Sequence, residues 1–587
     1  MSLDCQSLYS SASLLTEMRP LVTTRRIVKG VLALAFLWSA TAAHAPWLVA
    51  AADESALVTL SVIGTSDLHG AALPRNGLGG LSLLAGYINN LRAARAIDRG
   101  AVLLIDSGDT FQGEVESNLS EGASIVDAYN AMGYTAEAIG NHDFDFGSVD
   151  SPSARQLAGD LRGALKARAA QARYPFLAAN LIDVSTGRAV KWPNVRPSVL
   201  VDAAGIKVGI VGVMTIDALR STLAANVQGL RIAPLAPTIV EQASKLRAAG
   251  ADIVIVASHA GGRCERFDQP ADLSSCDDDS EIFRVARNVP RGLVDVIVAG
   301  HTHGGLAHQV NGVGIIQPFF RGQSFGRIDV VLDRLTKRVT RIQPFAPQPI
   351  AAGQYEGQPV ANDPAIDQAM APALQRVHQL QATPIGVSLE VPIPRVATFG
   401  SPLGNLFAEA LRAGVPGADV AAINNAARGL RADLAEGPLT IGRLYNVFPF
   451  DNRVARITLT GAELGRWLAR EISQGRRGWL GISGVDVRTR CRADGLHVDL
   501  FRGSGPIHDD DRLLAVTIGG PTLSGNLASS DPVAGIGPIG HAPVVREIVE
   551  DWFRRLGHSA QDQLEAATHR SSAFADAQVV DCVALER

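Results

Sequence analysis

Cysteine is scarce, five in 587 residues, which excludes the dense disulfide framework of a small secreted module. Aromatic residues reach only 5%, and no aromatic-basic interleave marks a surface for a nucleic-acid polymer. Charge of one sign is also missing. With 54 basic against 58 acidic side chains, a net of -4, and no block of like charge, the chain lacks the broad basic surface that backbone-driven nucleic-acid binding needs. No apolar run reaches the roughly 20 residues of a membrane span, and neither heptads nor an amphipathic lysine-rich stripe occurs. The remaining composition is 47% hydrophobic with 58 Gly and 30 Pro, which is that of a folded protein long enough for two domains with separate cores.

The first 45 residues read as an export signal. Arg19, Arg25, Arg26 and Lys29 precede an apolar core from Val31 to Trp38, and Ala43-His44-Ala45 offers small residues at a cleavage site. A membrane anchor is the competing reading, but Ser39, Thr41 and His44 interrupt the run. Loss of this segment removes four basic and two acidic side chains, leaving 50 against 56, a net of -6. It also removes Cys5 and leaves Cys264, Cys276, Cys491 and Cys582, bound for the periplasm or the exterior, where disulfides persist. Cys264 and Cys276 flank a Gly-, Asp- and Ser-rich loop and form the economical pair; zinc thiolate ligation would want short paired spacings. Cys491 and Cys582 form the second candidate pair.

Residues 57–345 repeat a strand, loop, helix rhythm. Leu57 to Ile63, Ala101 to Ile105, Val208 to Val213, Ile253 to Ala257 and Val294 to Val298 are short, β-branched runs that each end at a polar or glycine-rich turn. Leu81 to Ala96, Gly122 to Met132, Arg155 to Ala172 and Pro237 to Ala249 carry helical spacing. This predicts an α/β layered domain with functional loops at strand ends. Gln343 to Val360, rich in Pro, Gln and Gly, reads as a linker, and a helix follows over Ile366 to Leu380, so residues 346–383 join the first domain to a second α/β domain at 384–565. Residues 566–587 read as a peripheral tail.

Chemistry concentrates at the predicted strand ends. Asp67-Leu68-His69-Gly70 follows the first strand, Asp106-Ser107-Gly108-Asp109 the second, and Gly140-Asn141-His142-Asp143-Phe144-Asp145 follows Ala136 to Ile139. His259 closes the run from Ile253, and Gly300-His301-Thr302-His303 closes Val294 to Ala299. Five strand ends thus offer seven oxygen or imidazole ligands: Asp67, His69, Asp109, Asn141, His259, His301 and His303. That donor set suits Mn, Zn, Fe or a related divalent ion. It exceeds one tetrahedral site, and a carboxylate such as Asp109 can bridge two ions about 3.5–4 Å apart.

These clusters resemble the calcineurin-like metallophosphoesterase signature, and the two-domain layout resembles the secreted bacterial 5'-nucleotidase family, which also contains UDP-sugar hydrolases and 2',3'-cyclic-nucleotide phosphodiesterases. The resemblance implies a four-layer αββα sandwich with a second α/β domain that binds substrate. It implies two divalent ions, the first held by Asp67, His69, Asp109 and His303 and the second by Asp109, Asn141, His259 and His301. It places His142 beside the attacked phosphoryl group, with Asp145 orienting it, and gives Asp143 a supporting role rather than ligation. The substrate it implies is a small phosphorylated compound, first a 5'-nucleotide. A thiosulfohydrolase on the same scaffold is an alternative enzyme, and a non-catalytic secreted binding protein is a remote one.

In the second domain, Ser401-Pro402-Leu403-Gly404-Asn405-Leu406 and Tyr445-Asn446-Val447-Phe448-Pro449-Phe450-Asp451-Asn452 resemble family motifs. By that resemblance Arg431 meets the substrate phosphate, Phe450 stacks on the base and Asn452 contacts its edge. Three departures alter this pocket. Asn424 to Arg431 is longer than the family's Asn-x-Gly-Gly-Ile-Arg, Ala397 stands where an arginine is expected, and Thr517-Ile518-Gly519-Gly520-Pro521-Thr522 lacks the usual second aromatic and acid. Such a pocket would discriminate weakly between bases.

Overall fold

Alternation along the strands decides the layering of the first domain. The computed structural model describes residues 56–149, 159–223, 225–395, 401–424, 430–449, 454–473, 480–492, 495–518 and 544–556. The first domain holds β1 (Leu57–Thr65), β2 (Ala101–Asp106), β3 (Ala136–Ala138), β4 (Phe176–Leu177), β5 (Val195–Arg196), β6 (Ser198–Ala203), β7 (Ile206–Met214), β8 (Ile253–His259), β9 (Val296–Ala299), β10 (Gly305–Val310), β11 (Val313–Pro318), β12 (Ser324–Asp333) and β13 (Val339–Pro349). One sheet runs β13-β12-β1-β2-β3-β4-β5 and the other β10-β11-β9-β8-β7-β6. In β1, Val58, Leu60 and Val62 point into a core shared with Val208 and Ile210 of β7 and Ile253 and Ile255 of β8. The alternate residues Val211, Val213, Val254 and Val256 face the other way, onto Ile239 and Leu246 of the Leu235–Ala248 helix and Phe283 of the Glu281–Asn288 helix. On the outer side of the first sheet, Ile63 packs with Leu84 and Ile88 of the Leu81–Ile97 helix and Ile125 and Tyr129 of the Ala123–Met132 helix. Period-two burial on both sheets therefore produces helix, sheet, sheet, helix, the predicted αββα sandwich. The sheets approach closely at Gly64, where a Cβ would lie 2.5 Å from Val298.

The central strands of each sheet are parallel: β1, β2, β3 and β4 in one, and β7, β8, β9 and β11 in the other. Their C-terminal ends, the usual position for ligand-binding loops in open α/β sheets, carry the ligand-type turns. Ser107, just past β2, donates through Oγ to the Val298 carbonyl of β9 at 2.7 Å, tying the two sheets together beside these turns.

The proline- and glutamine-rich stretch corrects the composition-based reading of a linker. As far as Pro349 it is the edge strand β13, antiparallel to β12, because an edge strand tolerates prolines that cannot donate to a ladder. The Pro364–Ala382 helix follows, capped by Asp363, whose carboxylate accepts from Ala365 N at 2.8 Å. Its Val377 is buried with Val115 of the first domain and Tyr445 of the second, so this helix packs on both domains. The predicted Arg155 to Ala172 helix is shorter, Gly163–Gln171, and residues 150–158 are not among those described.

The second domain is built on a sheet ordered Val454–Thr460, Arg512–Ile518, Val420–Asn424, Leu480–Ser483. The Pro402–Gly414 and Val545–Leu556 helices cover one face through Leu406, Phe407, Val549 and Phe553, and Leu464, Trp467 and Leu468 of the Gly461–Ser473 helix cover the other. Cys264 and Cys276 are disulfide-bonded. Cys582, Phe450, Asn452, the signal-like segment and the predicted tail lie outside the described residues. Among those described, no helix is long and apolar enough to cross a membrane.

Candidate metal centre and its surroundings

Backbone strain marks the site before any ligand is considered. Asp67, His69, Asp109, His301 and His303 all have φ between 50° and 75°, a region that side chains other than glycine enter at a cost of about 1–3 kcal/mol and that clusters at functional sites. Glycines make room for the turns: a Cβ on Gly140 would lie 2.3 Å from the Asp109 backbone nitrogen and carboxylate. Asp143 fastens the Asp109 and Asn141 turns together, accepting from Gly140 N at 2.7 Å, Thr110 N at 3.0 Å and Asp109 N at 3.3 Å.

All seven predicted ligands converge, in two groups. In the first, Asp67, His69 and His303 present ligand atoms within 4.8 Å of one another, and in the second Asp109, His259 and His301 do the same. Nε2 of His69 lies 3.1 Å from Nε2 of His303, which is 3.5 Å from Asp67 Oδ1. Asn141 joins the second group, with Oδ1 3.0 Å from His259 Nε2 and 3.0 Å from His301 Nδ1. Its Nδ2 donates to Ser221 O at 3.1 Å, which turns the amide oxygen inward.

The donor chemistry fits divalent cations. Nδ1 of His69 donates to Gln112 O at 3.0 Å and Nδ1 of His259 to Ser107 O at 2.7 Å, so both rings aim Nε2 into the site; backbone carbonyls commonly fix metal-binding imidazoles this way. Around His259 Nε2, three atoms able to accept converge: Asn141 Oδ1, Asp109 Oδ2 at 3.3 Å and His301 Nδ1 at 3.3 Å. That convergence calls for positive charge at its centre, a proton or a cation. The pKa directions agree. Burial pushes Asp67 up to about 7 despite His259. Burial disfavours the charged form of His259, but Asp109, Asp67 and the Ser107 carbonyl together raise the ring to about 10. Burial, then His259, lowers His301 to about 3, and burial drops His69 well below its ordinary value. His69 and His301 are thus neutral, the form that coordinates metal.

His142 stands beside both groups. Its backbone N donates to Asp109 Oδ1 at 2.7 Å, and its ring centroid is 5.3 Å from that of His69. Nδ1 meets Asp145 Oδ2 at 2.6 Å. Burial opposes the charge, but Asp145 and then Asp109 lift the ring to about 9, so it is cationic at neutral pH. Thr222, which no sequence pattern singled out, donates to Asp145 Oδ1 at 2.7 Å and fixes that carboxylate.

Arg431 reaches the first domain, with Nη1 3.5 Å from Glu114 Oε1. Burial, then Arg321, lowers its pKa to about 10, which leaves it charged. Glu114, Arg75, Phe320 and Arg321 were missed by the sequence reading. The Phe319-Phe320-Arg321-Gly322 run just past β11 was the available signal, two bulky rings and a cation at a strand end.

Residues 60–305 match the calcineurin-like phosphoesterase family and residues 384–509 the 5'-nucleotidase C-terminal domain. The chain thus carries both domains of the 5'-nucleotidase architecture, a calcineurin-like phosphoesterase domain followed by a 5'-nucleotidase C-terminal domain. It is 26% identical to a Bacillus subtilis protein named endonuclease YhcR over 83% of this chain, but spans only 38% of that protein's length. It is 25% identical to the protein UshA of Yersinia enterocolitica, over 73% of this chain and 78% of UshA. The solved 5'-nucleotidase precursor of Thermus thermophilus superposes with a TM-score of 0.59 at 23% identity, covering 85% of this chain and 97% of that one; at that identity the likeness establishes the fold. Calcineurin-like phosphoesterases use divalent metals, and this match fits the donor set derived above.

Proposed function

We propose that the protein hydrolyses phosphate monoesters outside the cytoplasm, 5'-nucleotides foremost, with two divalent cations such as Mn or Zn as cofactors. Asp67, His69, His303 and Asp109 would hold one ion, and Asp109, Asn141, His259 and His301 the other. Bound there, the ions supply Lewis-acid charge for the phosphoryl oxygens and activation of water at neutral pH. The observation that carries this reading is the convergence of acceptors on His259 Nε2 beside a second group of ligand atoms.

The chain's own groups have distinct tasks. His142, cationic and held by Asp145, neutralises charge growing on the phosphoryl oxygens, and its proton stays on the ring because Asp145 favours the imidazolium. Arg431 offers a guanidinium fork suited to phosphate oxygens. Phe450 and Asn452 are proposed base contacts on the resemblance alone. Export is supported by the basic and apolar N-terminal pattern and by the Cys264–Cys276 disulfide, a bond that persists in oxidising compartments.

The test is phosphate release from AMP, UMP, a 2',3'-cyclic nucleotide, a UDP-sugar and an aryl phosphate by metal-reconstituted protein, with and without EDTA. A ten-fold or greater preference for the nucleoside monophosphates over the aryl compound, about 1.4 kcal/mol of discrimination, supports the nucleotidase reading. Cleavage of the aryl phosphate alone, abolished by EDTA, keeps the metal chemistry and discards 5'-nucleotides as substrate.

A further inference from the structure

Beside the first ligand group lies a cationic cluster of which the hydrolytic scheme uses only Arg431. Its anchor is Glu114, a carboxylate 5% exposed whose backbone N donates to His69 O at 2.9 Å. Oε2 meets Arg75 Nη2 at 2.5 Å, while Oε1 lies 3.5 Å from Arg431 Nη1 and 3.9 Å from Arg321 Nε. Glu116 is also nearby and buried; burial, then Glu114, raises its pKa toward the neutral form. Among the described residues, three guanidinium groups here meet two carboxylates even if Glu116 is counted. The excess is displayed outward: the side chains of Arg75, Arg321 and Arg431 are 44%, 27% and 21% exposed, against 5% for their common anchor.

The turn that carries Arg321 is bound to the candidate metal centre. Arg321 N donates to Asp67 O at 2.7 Å, and the Phe320 ring lies parallel to His303, centroids 4.7 Å apart. Phe319 and Arg321 have φ of 64° and 58°, so backbone strain is maintained on both sides of a ring that borders the site. A structural ion pair would need one arginine for one carboxylate. Here two more cations are brought to the same carboxylate and left partly open to solvent, an arrangement that an incoming anion completes.

We propose that Arg75 and Arg321, positioned by Glu114 and joined by Arg431, form a seat for a second anionic group of the substrate. The favoured substrate class is then a phosphate monoester bearing a further phosphate or carboxylate. This rests on the phosphoesterase reading above. Phe320 walls the seat beside His303, and Glu114 is a positioning residue that holds the guanidinium groups in register.

The test compares propyl phosphate with 1,3-propanediol bisphosphate as substrates, and follows binding of non-hydrolysable 1,3-propanebisphosphonate by calorimetry in metal-loaded and EDTA-treated protein. The kcat/KM ratio of bisphosphate to monophosphate should exceed ten and fall at least ten-fold in R75Q and in R321Q, with R321K retaining most of it. Bisphosphonate affinity should fall in the same variants with or without metal, and steeply with added salt. A ratio near one in the wild type, or a ratio unmoved in both folded glutamine variants, overturns the seat and leaves the cluster a clasp between domains. Absence of hydrolysis of either ester while R75Q still weakens bisphosphonate binding would reject the phosphoesterase reading and keep the seat.

Discussion

The Asp109 carboxylate lies 3.3 Å from Nε2 of His259, through Oδ2, and 4.0 Å from Nε2 of His69. One side chain therefore borders both groups of candidate ligands. Burial raises the cost of its charge, but His259, His142 and His69 together hold its pKa well below the ordinary carboxylate value. Asp109→Asn should remove bridging, lower bound divalent metal by at least one ion per chain by elemental analysis, and reduce turnover by 1,000-fold or more. Two bound ions with undiminished phosphate release in that variant would refute the paired centre.

The His142 ring is held by Asp145, and Asp145 in turn by Thr222. His142→Asn keeps the backbone N that bonds Asp109 but loses the cation, so kcat should drop about 100-fold or more with metal content unchanged. Thr222→Val removes one hydrogen bond to Asp145 and should cost about ten-fold at most, in kcat rather than KM. Equal losses of metal in both variants would mean that His142 supports the ligands instead of the phosphoryl group.

The clustering of the candidate ligands was legible because the turns follow short apolar runs and pack unusual chemistry into a few residues, as in Asp67 to Gly70 and Asn141 to Asp145. Parallel strands then deliver those turns to one edge. The cationic cluster was not legible as a unit: Arg431 stands out by its resemblance to a phosphate-binding arginine and Arg321 by the two rings before it, but Arg75 and Glu114 read as ordinary surface charges and only tertiary packing brings the four together. The β13 strand was hidden for another reason. Its prolines argue against a strand in general, but at a sheet edge the missing donors face no partner.

Loop closure by Cys264 and Cys276 reaches the site through short contacts. Thr302, between His301 and His303, donates to Gly262 O at 2.8 Å, and Cys264 N donates to Gly305 O at 3.1 Å. Their separation of 12 residues corresponds to about 2–4 kcal/mol of stabilisation. Paired Cys264→Ser and Cys276→Ser substitutions should lower Tm by several degrees and weaken retention of metal on dilution. A Tm indifferent to the pair, measured with and without reductant, would show that the loop needs no crosslink.

Glu137, wholly buried on β3, gives a pH prediction away from the ligands themselves. Burial, then Asp106 and Asp143, raises its pKa well above the ordinary carboxylate value. An acid raised in the folded state leaves stability intact below the unfolded pKa, about 4.3. Above it the unfolded chain sheds a proton that the folded chain retains, so stability declines with rising pH by up to about 1.4 kcal/mol per unit until the folded group ionises. Glu137→Gln should flatten that decline and raise the denaturation midpoint at pH 8 more than at pH 5. Urea titrations across pH 5–8 measure the slope, and a variant with the wild-type slope would place the pH dependence on Asp106 and Asp143 instead.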